Sequence, residues 1–164
     1  MTWDCIVVGG GAAGLSAGLV LGRARRRTLI IDKGEPSNRF AHGIGGLLGQ
    51  DGRAPQDFYA DGRKELEMYP SVEYRRGEVT GGAPGFSLTL ADGTSETARS
   101  IVLATGMDYV YPDVPGVAER WGKTAFHCPF CPSAPRRPAR PDRRSPCPWR
   151  GRCSSRSRWS RPRA

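Results

Sequence analysis

Residues 132 to 164 contain no Leu, Ile, Val, Phe or Met. Such a segment has almost no aliphatic surface to offset the entropy of ordering it, so no packed domain is expected there and disorder is the expectation. Acidic residues are nearly missing from the same stretch: of the 16 Asp and Glu in the chain only Asp142 lies in it, against 11 of the 25 Lys and Arg. The chain's net charge of +9 therefore belongs to those residues, which carry +10, while residues 1 to 131 sum to −1. Strong basicity would ordinarily suggest a nucleic-acid partner, but the first 131 residues give that reading no support. Long apolar runs are missing too. No stretch approaches the ~18 apolar residues of a membrane span, and Met1 leads directly into a short apolar segment without the basic and extended apolar regions of a secretion signal. Cytoplasmic residence is the expectation. Cysteine is sparse and odd in number, at five, with Cys5 inside a predicted strand. That pattern is a poor disulfide framework for a secreted protein, and Cys5 reads as a small buried hydrophobe.

What is present begins at once. Trp3 to Val8 reads as a buried strand of a parallel sheet, and Gly9-Gly10-Gly11-Ala12-Ala13-Gly14 follows it directly. A helix is expected from Ala12 to Ala24, with Ala13, Ala17, Leu21 and Ala24 as its inner face, then a second strand, Thr28 to Ile31, ending on Asp32. Each glycine has a distinct role in such a unit. Gly9 permits the tight exit from the strand, Gly11 leaves room for a pyrophosphate at the helix N-terminus, and Gly14 lets helix and strand pack closely. Asp32 stands where a carboxylate accepts hydrogen bonds from adenosine ribose hydroxyls, so an adenine dinucleotide is the expected ligand. Arg23, Arg25, Arg26 and Arg27 crowd the helix C-terminus, where cations complement the macrodipole and remain solvated.

Farther on, Phe40 to Gly52 is glycine-rich and aperiodic, either a loop near the ligand or a plain surface loop. Pro55 to Met68 reads as a helix with Phe58, Gly62, Leu66 and Tyr69 on one face. Val72 to Tyr74, Glu78 to Thr80 and Phe86 to Leu90, with the turn signal Asp92-Gly93, read together as a small antiparallel insert. The chain returns in Ile101 to Ala104, expected as a fully apolar strand, and Thr105-Gly106 closes it at the ligand end of the sheet. The fold class is α/β, a Rossmann-like domain. Residues 1 to 116 are assigned to its N-terminal part, 117 to 131 to a linker and the start of a second domain, ending in Cys128-Pro129-Phe130-Cys131, and 132 to 164 to the Arg/Pro/Ser-rich tail.

The glycine fingerprint, Asp32, Leu103-Ala104-Thr105-Gly106, Pro112-Asp113-Val114-Pro115-Gly116 and the Cys128/Cys131 pair, in that order, resemble the thioredoxin-reductase-like FAD and NAD(P)-dependent oxidoreductases. The Cys-Pro-aromatic-Cys variant is similar to their dithiol-oxidase branch. The resemblance implies that Gly9, Gly11, Ala13, Gly14 and Asp32 hold FAD and that Thr105 and Gly106 approach the flavin. It also implies that Cys131 faces the flavin while Cys128 exchanges with an external disulfide or dithiol. A two-residue spacer suits a reducible disulfide, one thiolate attacking and the other resolving, and His127 stands beside the pair. Intact members are often homodimers and use NAD(P)H through a second nucleotide-binding domain placed after the Cys pair. Here Pro132-Ser133-Ala134-Pro135 follows instead, with no second Gly-x-Gly unit. The expectation is a truncated, inactive or impaired chain that binds FAD weakly.

Three readings compete for the tail. A reading-frame shift in GC-rich DNA gives its composition, and Asp142-Arg143-Arg144-Ser145 shifted by one base can encode Ile-Ala-Val-Leu. A basic arm would bind nucleic acid or another polyanion through its Arg, with Trp149 and Trp159 available for stacking. A zinc site from Cys128, Cys131, Cys147 and Cys153 would need a second pair separated by five residues, unlike a zinc ribbon. No metal ligand is assigned.

Overall fold

The computed structural model describes residues 2–122, 124 and 125; the expectations on His127, on the Cys128/Cys131 pair and on the tail fall outside the described residues. Strand β1 (Cys5–Val8) lies centrally in a four-stranded parallel sheet. Covered on both faces, it needs apolar side chains in both directions, and Ile6 and Val7 are fully buried. Helix α1 (Ala12–Arg23) carries the chain to β2 (Thr28–Asp32), which pairs with β1 from Cys5 opposite Thr28 to Val8 opposite Ile31. The βαβ opening is thus as expected. The inner face of α1 is only partly so: Ala17 and Leu21 pack against the helix-side core, but the buried residues are Gly14, Leu15, Gly18 and Gly22, and Ala13 and Ala24 are exposed. Close approach explains the difference. A Cβ on Gly18 would lie 2.5 Å from Ile30 Cδ1 and one on Gly22 2.9 Å from Val72 Cγ2, so the glycines let the helix sit nearer the sheet than an alanine face would.

Helix α2 (Pro55–Leu66) has Pro at its first turn, where a missing N–H costs nothing, and packs on α1 with Gly62 against Leu15. Strand β3 (Val72–Arg76) then pairs in parallel with β2. This corrects the expected insert: β3 belongs to the main sheet, and only β4 (Val79–Ala83), β5 (Ser87–Leu90) and β6 (Ser95–Thr97) form the separate antiparallel sheet. Strand β7 (Ile101–Leu103) returns to the other side of β1, giving the order β3-β2-β1-β7. A short helix, α3 (Val117–Arg120), follows.

Strand parity makes two cores. Ile6, Leu29 and Ile31 face the antiparallel sheet with Trp3, Leu88, Leu90 and Ala98. Cys5, Val7 and Ile30 face the helices with Leu15 and Leu66, and Cys5 is a buried free thiol, as its sequence position suggested. Strand β7 is a strand of apolar residues as expected, yet Leu103 is 75% exposed and Val102 36% exposed. It is the edge of the sheet among the described residues, and none of them covers its outer surface.

Candidate functional site

The order of strand addition reverses at β1: from it the chain runs outward through β2 and β3, then returns to its other flank as β7. Ligands of open α/β sheets bind at such a switch point, beyond the carboxyl ends of the strands. A cavity of about 420 Å³ lies there, lined by Gly9, Gly10, Gly11, Asp32 and the segment Ala104 to Asp108. Its walls explain the glycines individually. Gly9 has φ +104°, and a Cβ on it would stand 2.3 Å from the Ala104 carbonyl oxygen. A Cβ on Gly14 would stand 1.8 Å from the Gly9 carbonyl oxygen. Around Gly11 nothing lies within 4 Å of that position, and Gly11 is the N-cap of α1 with no side-chain hydrogen bond to the first turn. Free N–H groups at an uncrowded helix start suit a phosphate.

Asp32 lines the cavity beside the glycine turn. The backbone N–H of Gly10 donates to its Oδ1 at 3.0 Å, and the Tyr74 hydroxyl donates to its Oδ2. Arg76 Nη1 stands 3.9 Å from the same Oδ2. Burial alone would raise the Asp32 carboxyl. Hydrogen bonds from Tyr74 and from the backbone of Gly10 and Gly34, with the charge of Arg76, outweigh it and hold the group below the ordinary aspartate value. Asp32 is therefore an anion at neutral pH.

Gly9, Gly11, Gly14, Asp32, Thr105 and Gly106 are thus brought together, Gly14 beneath the Gly9 turn and Thr105 and Gly106 exposed at the mouth. Ala13 is exposed on the first turn of α1 and does not line the cavity. The loop from Phe40 to Gly52 contributes no lining residue to this cavity, although Phe40 lines an adjoining one with Glu35, Met107 and Asp108. Lys33 to Ser37, Gln56, Tyr59, Arg63, Tyr74 and Arg76 were missed as site residues. The one signal that pointed to the last two was parity, since Tyr74 and Arg76 stand opposite Ile30 and Asp32 in the β2/β3 register.

Residues 3–134 match the sequence profile of the family described as pyridine nucleotide-disulphide oxidoreductase. The chain belongs to this family. Within it the chain is thioredoxin-reductase-like. A thioredoxin reductase of Claviceps purpurea is 33% identical over 131 residues, 76% of this chain and 41% of that protein. A thioredoxin reductase of Gibberella zeae is 34% identical over 139 residues, 73% of this chain and 39% of that protein. Among solved structures, an oxidoreductase from Agrobacterium tumefaciens superposes with a TM-score of 0.78 at 44% identity, covering 80% of this chain and 45% of its own. The chain spans about two fifths of the length of the curated relatives it matches. No described helix is long and apolar enough to cross a membrane. Among the described residues, no group of three or more His, Cys, Asp or Glu is placed to hold a metal ion.

Proposed function

We propose that the cavity at the β1/β7 switch point is an FAD site and that the chain carries part of an oxidoreductase exchanging electrons between NAD(P)H, a flavin and a disulfide or dithiol. The supporting observation is the fit of the cradle. At Gly9 and Gly14 a Cβ would strike backbone, and at Gly11 it would occupy otherwise open space at the start of α1, where first-turn N–H groups have no intrahelical partner. In this reading Gly11, Ala13 and the α1 N-terminus hold the pyrophosphate, and Asp32 accepts from the adenosine ribose. Thr105 and Gly106 border the flavin. FAD supplies two-electron exchange between the nicotinamide and a dithiol. Cys128 and Cys131 carry the thiol chemistry, Cys128 exchanging with the external disulfide or dithiol and Cys131 with the flavin. Cytoplasmic residence follows from the same reading, since a reducing compartment keeps such a pair available.

For the 164-residue chain by itself we propose weak flavin binding and no steady NADPH-driven disulfide reduction, because it contains a single Gly-x-Gly-x-x-Gly unit. The test is equilibrium dialysis of the purified chain against FAD, followed by an NADPH oxidation assay with a model disulfide. Saturable binding lost in Gly11→Val supports the site; no saturable binding at any FAD concentration refutes it. Sustained NADPH turnover refutes the impaired state. A second property is proposed for residues 132 to 164: eleven Arg and one acid there favour nonspecific adsorption to polyanions.

A further inference from the structure

Tyr74 is not part of the glycine fingerprint, yet its hydroxyl is tied to the carboxylate that the fingerprint positions. Strand β3 places it there. With Ile30 opposite Tyr74 and Asp32 opposite Arg76, the side chains of Tyr74 and Asp32 are diagonal neighbours on the helix-side face of the sheet. The Tyr74 ring packs against the helix-side core and Arg63 of α2 lies over it, 5.8 Å from its centroid, so the hydroxyl is anchored from behind. An aspartate carboxylate has about four lone-pair positions. The Gly10 N–H takes one on Oδ1, Tyr74 takes one on Oδ2 and the Gly34 backbone bonds the same carboxylate, which together fix the plane of the group and leave the rest of its acceptor capacity to a ligand.

We propose that Tyr74 is a positioning residue of the nucleotide site, turning Asp32 so that its remaining acceptor positions face the hydroxyls of a ribose in the adjoining cavity. The inference rests on the flavin-site reading above. Its action is exerted through Asp32, and the charged groups around that carboxylate agree with it. Arg76 of β3 is the nearest cation at 3.9 Å, whereas Lys33 is engaged by Glu78 at 3.0 Å and Glu35 at 3.6 Å. The Tyr74 hydroxyl is itself held protonated, by burial first and then by its bond to the Asp32 anion, so it remains a donor throughout the neutral range. The experiment compares the full chain with Tyr74→Phe, which keeps the packed ring and removes only the donor. A thermal melt confirms the fold. Carbon NMR of the Asp32 carboxyl in flavin-free protein should show its titration midpoint moving upward in Tyr74→Phe. FAD affinity at pH 7 should fall roughly tenfold, the effect of losing one hydrogen bond to a charged group. In an Asp32→Asn background, Tyr74→Phe should weaken FAD no further. An unmoved midpoint, or an equal loss of affinity in both backgrounds, overturns the proposal. Wild-type protein that takes up no FAD overturns the flavin reading and the ligand half of the inference, while the titration still decides whether Tyr74 holds Asp32.

Discussion

Two glycines of one motif should respond to the same substitution in opposite ways. At Gly14 an added methyl would meet the Gly9 carbonyl oxygen at 1.8 Å, a contact with backbone that no rotamer relieves. Gly14→Ala should therefore destabilise the fold by about 1 to 3 kcal/mol, read as a lowered midpoint in denaturant. At Gly11 the same methyl meets nothing within 4 Å, and the backbone there has φ −76°, acceptable to alanine. Gly11→Ala should leave the unfolding midpoint unchanged and weaken FAD binding, because the space it fills belongs to the ligand. A midpoint lowered equally in both variants would show that Gly11 is structural. Asp32 adds a pH signature. Its carboxyl is held below the ordinary aspartate value in the folded protein, so its contribution is fully present above the unfolded value and is lost as pH falls through the folded one. Urea unfolding of wild type should weaken across that acidic interval, and Asp32→Asn should remove this component of the slope.

Strands show what could and could not be read from the sequence. The βαβ opening was legible because each local signal agreed with the next: an apolar run, a glycine turn, a helix and a second apolar run ending in Asp32. Strand β3 was legible as a strand and misplaced as a partner. Pairing is a long-range choice, and Val72-Glu73-Tyr74-Arg75-Arg76 alternates as an antiparallel insert would, although it completes the edge of the parallel sheet. The site residues Tyr74 and Arg76 were lost with that misplacement. Helix α1 was legible in extent but rotated in expectation, since hydrophobicity favours alanine and leucine whereas the sheet accepted glycines. Strand β7 shows the reverse case, an apolar composition that suggested burial on a strand whose Leu103 is 75% exposed. This exposure separates two substitutions of similar residues. Ile31→Ala, in the core, should cost about 2 to 5 kcal/mol. Leu103→Thr keeps a strand-favouring residue at an exposed position and should shift the unfolding midpoint by less than about 0.5 kcal/mol. A large loss at Leu103 would reveal that another part of the protein covers β7.

At the scale of the molecule, charge and fold occupy different parts of the chain. The sheet, the helices and the switch-point cavity belong to residues that are together nearly neutral, and the positive charge belongs to residues 132 to 164. The Asp32 side of the cavity is already balanced by Arg76 and Lys33, each beside a carboxylate. Polyanion binding should therefore be independent of flavin binding. Retention of the chain on heparin or duplex DNA should be strong at low salt and fall steeply as salt rises, the logarithm of affinity dropping by about 0.9 per neutralised phosphate for each logarithmic unit of salt. Scrambling the DNA sequence should not change it, since arginines on phosphates carry no sequence information. Saturating FAD should not change it either. A chain ending at Cys131 should pass through the same column unretained. Sequence-selective binding that survives moderate salt would instead mark residues 132 to 164 as an evolved arm with a specific nucleic-acid partner, and competition by FAD would place the polyanion in the nucleotide cavity.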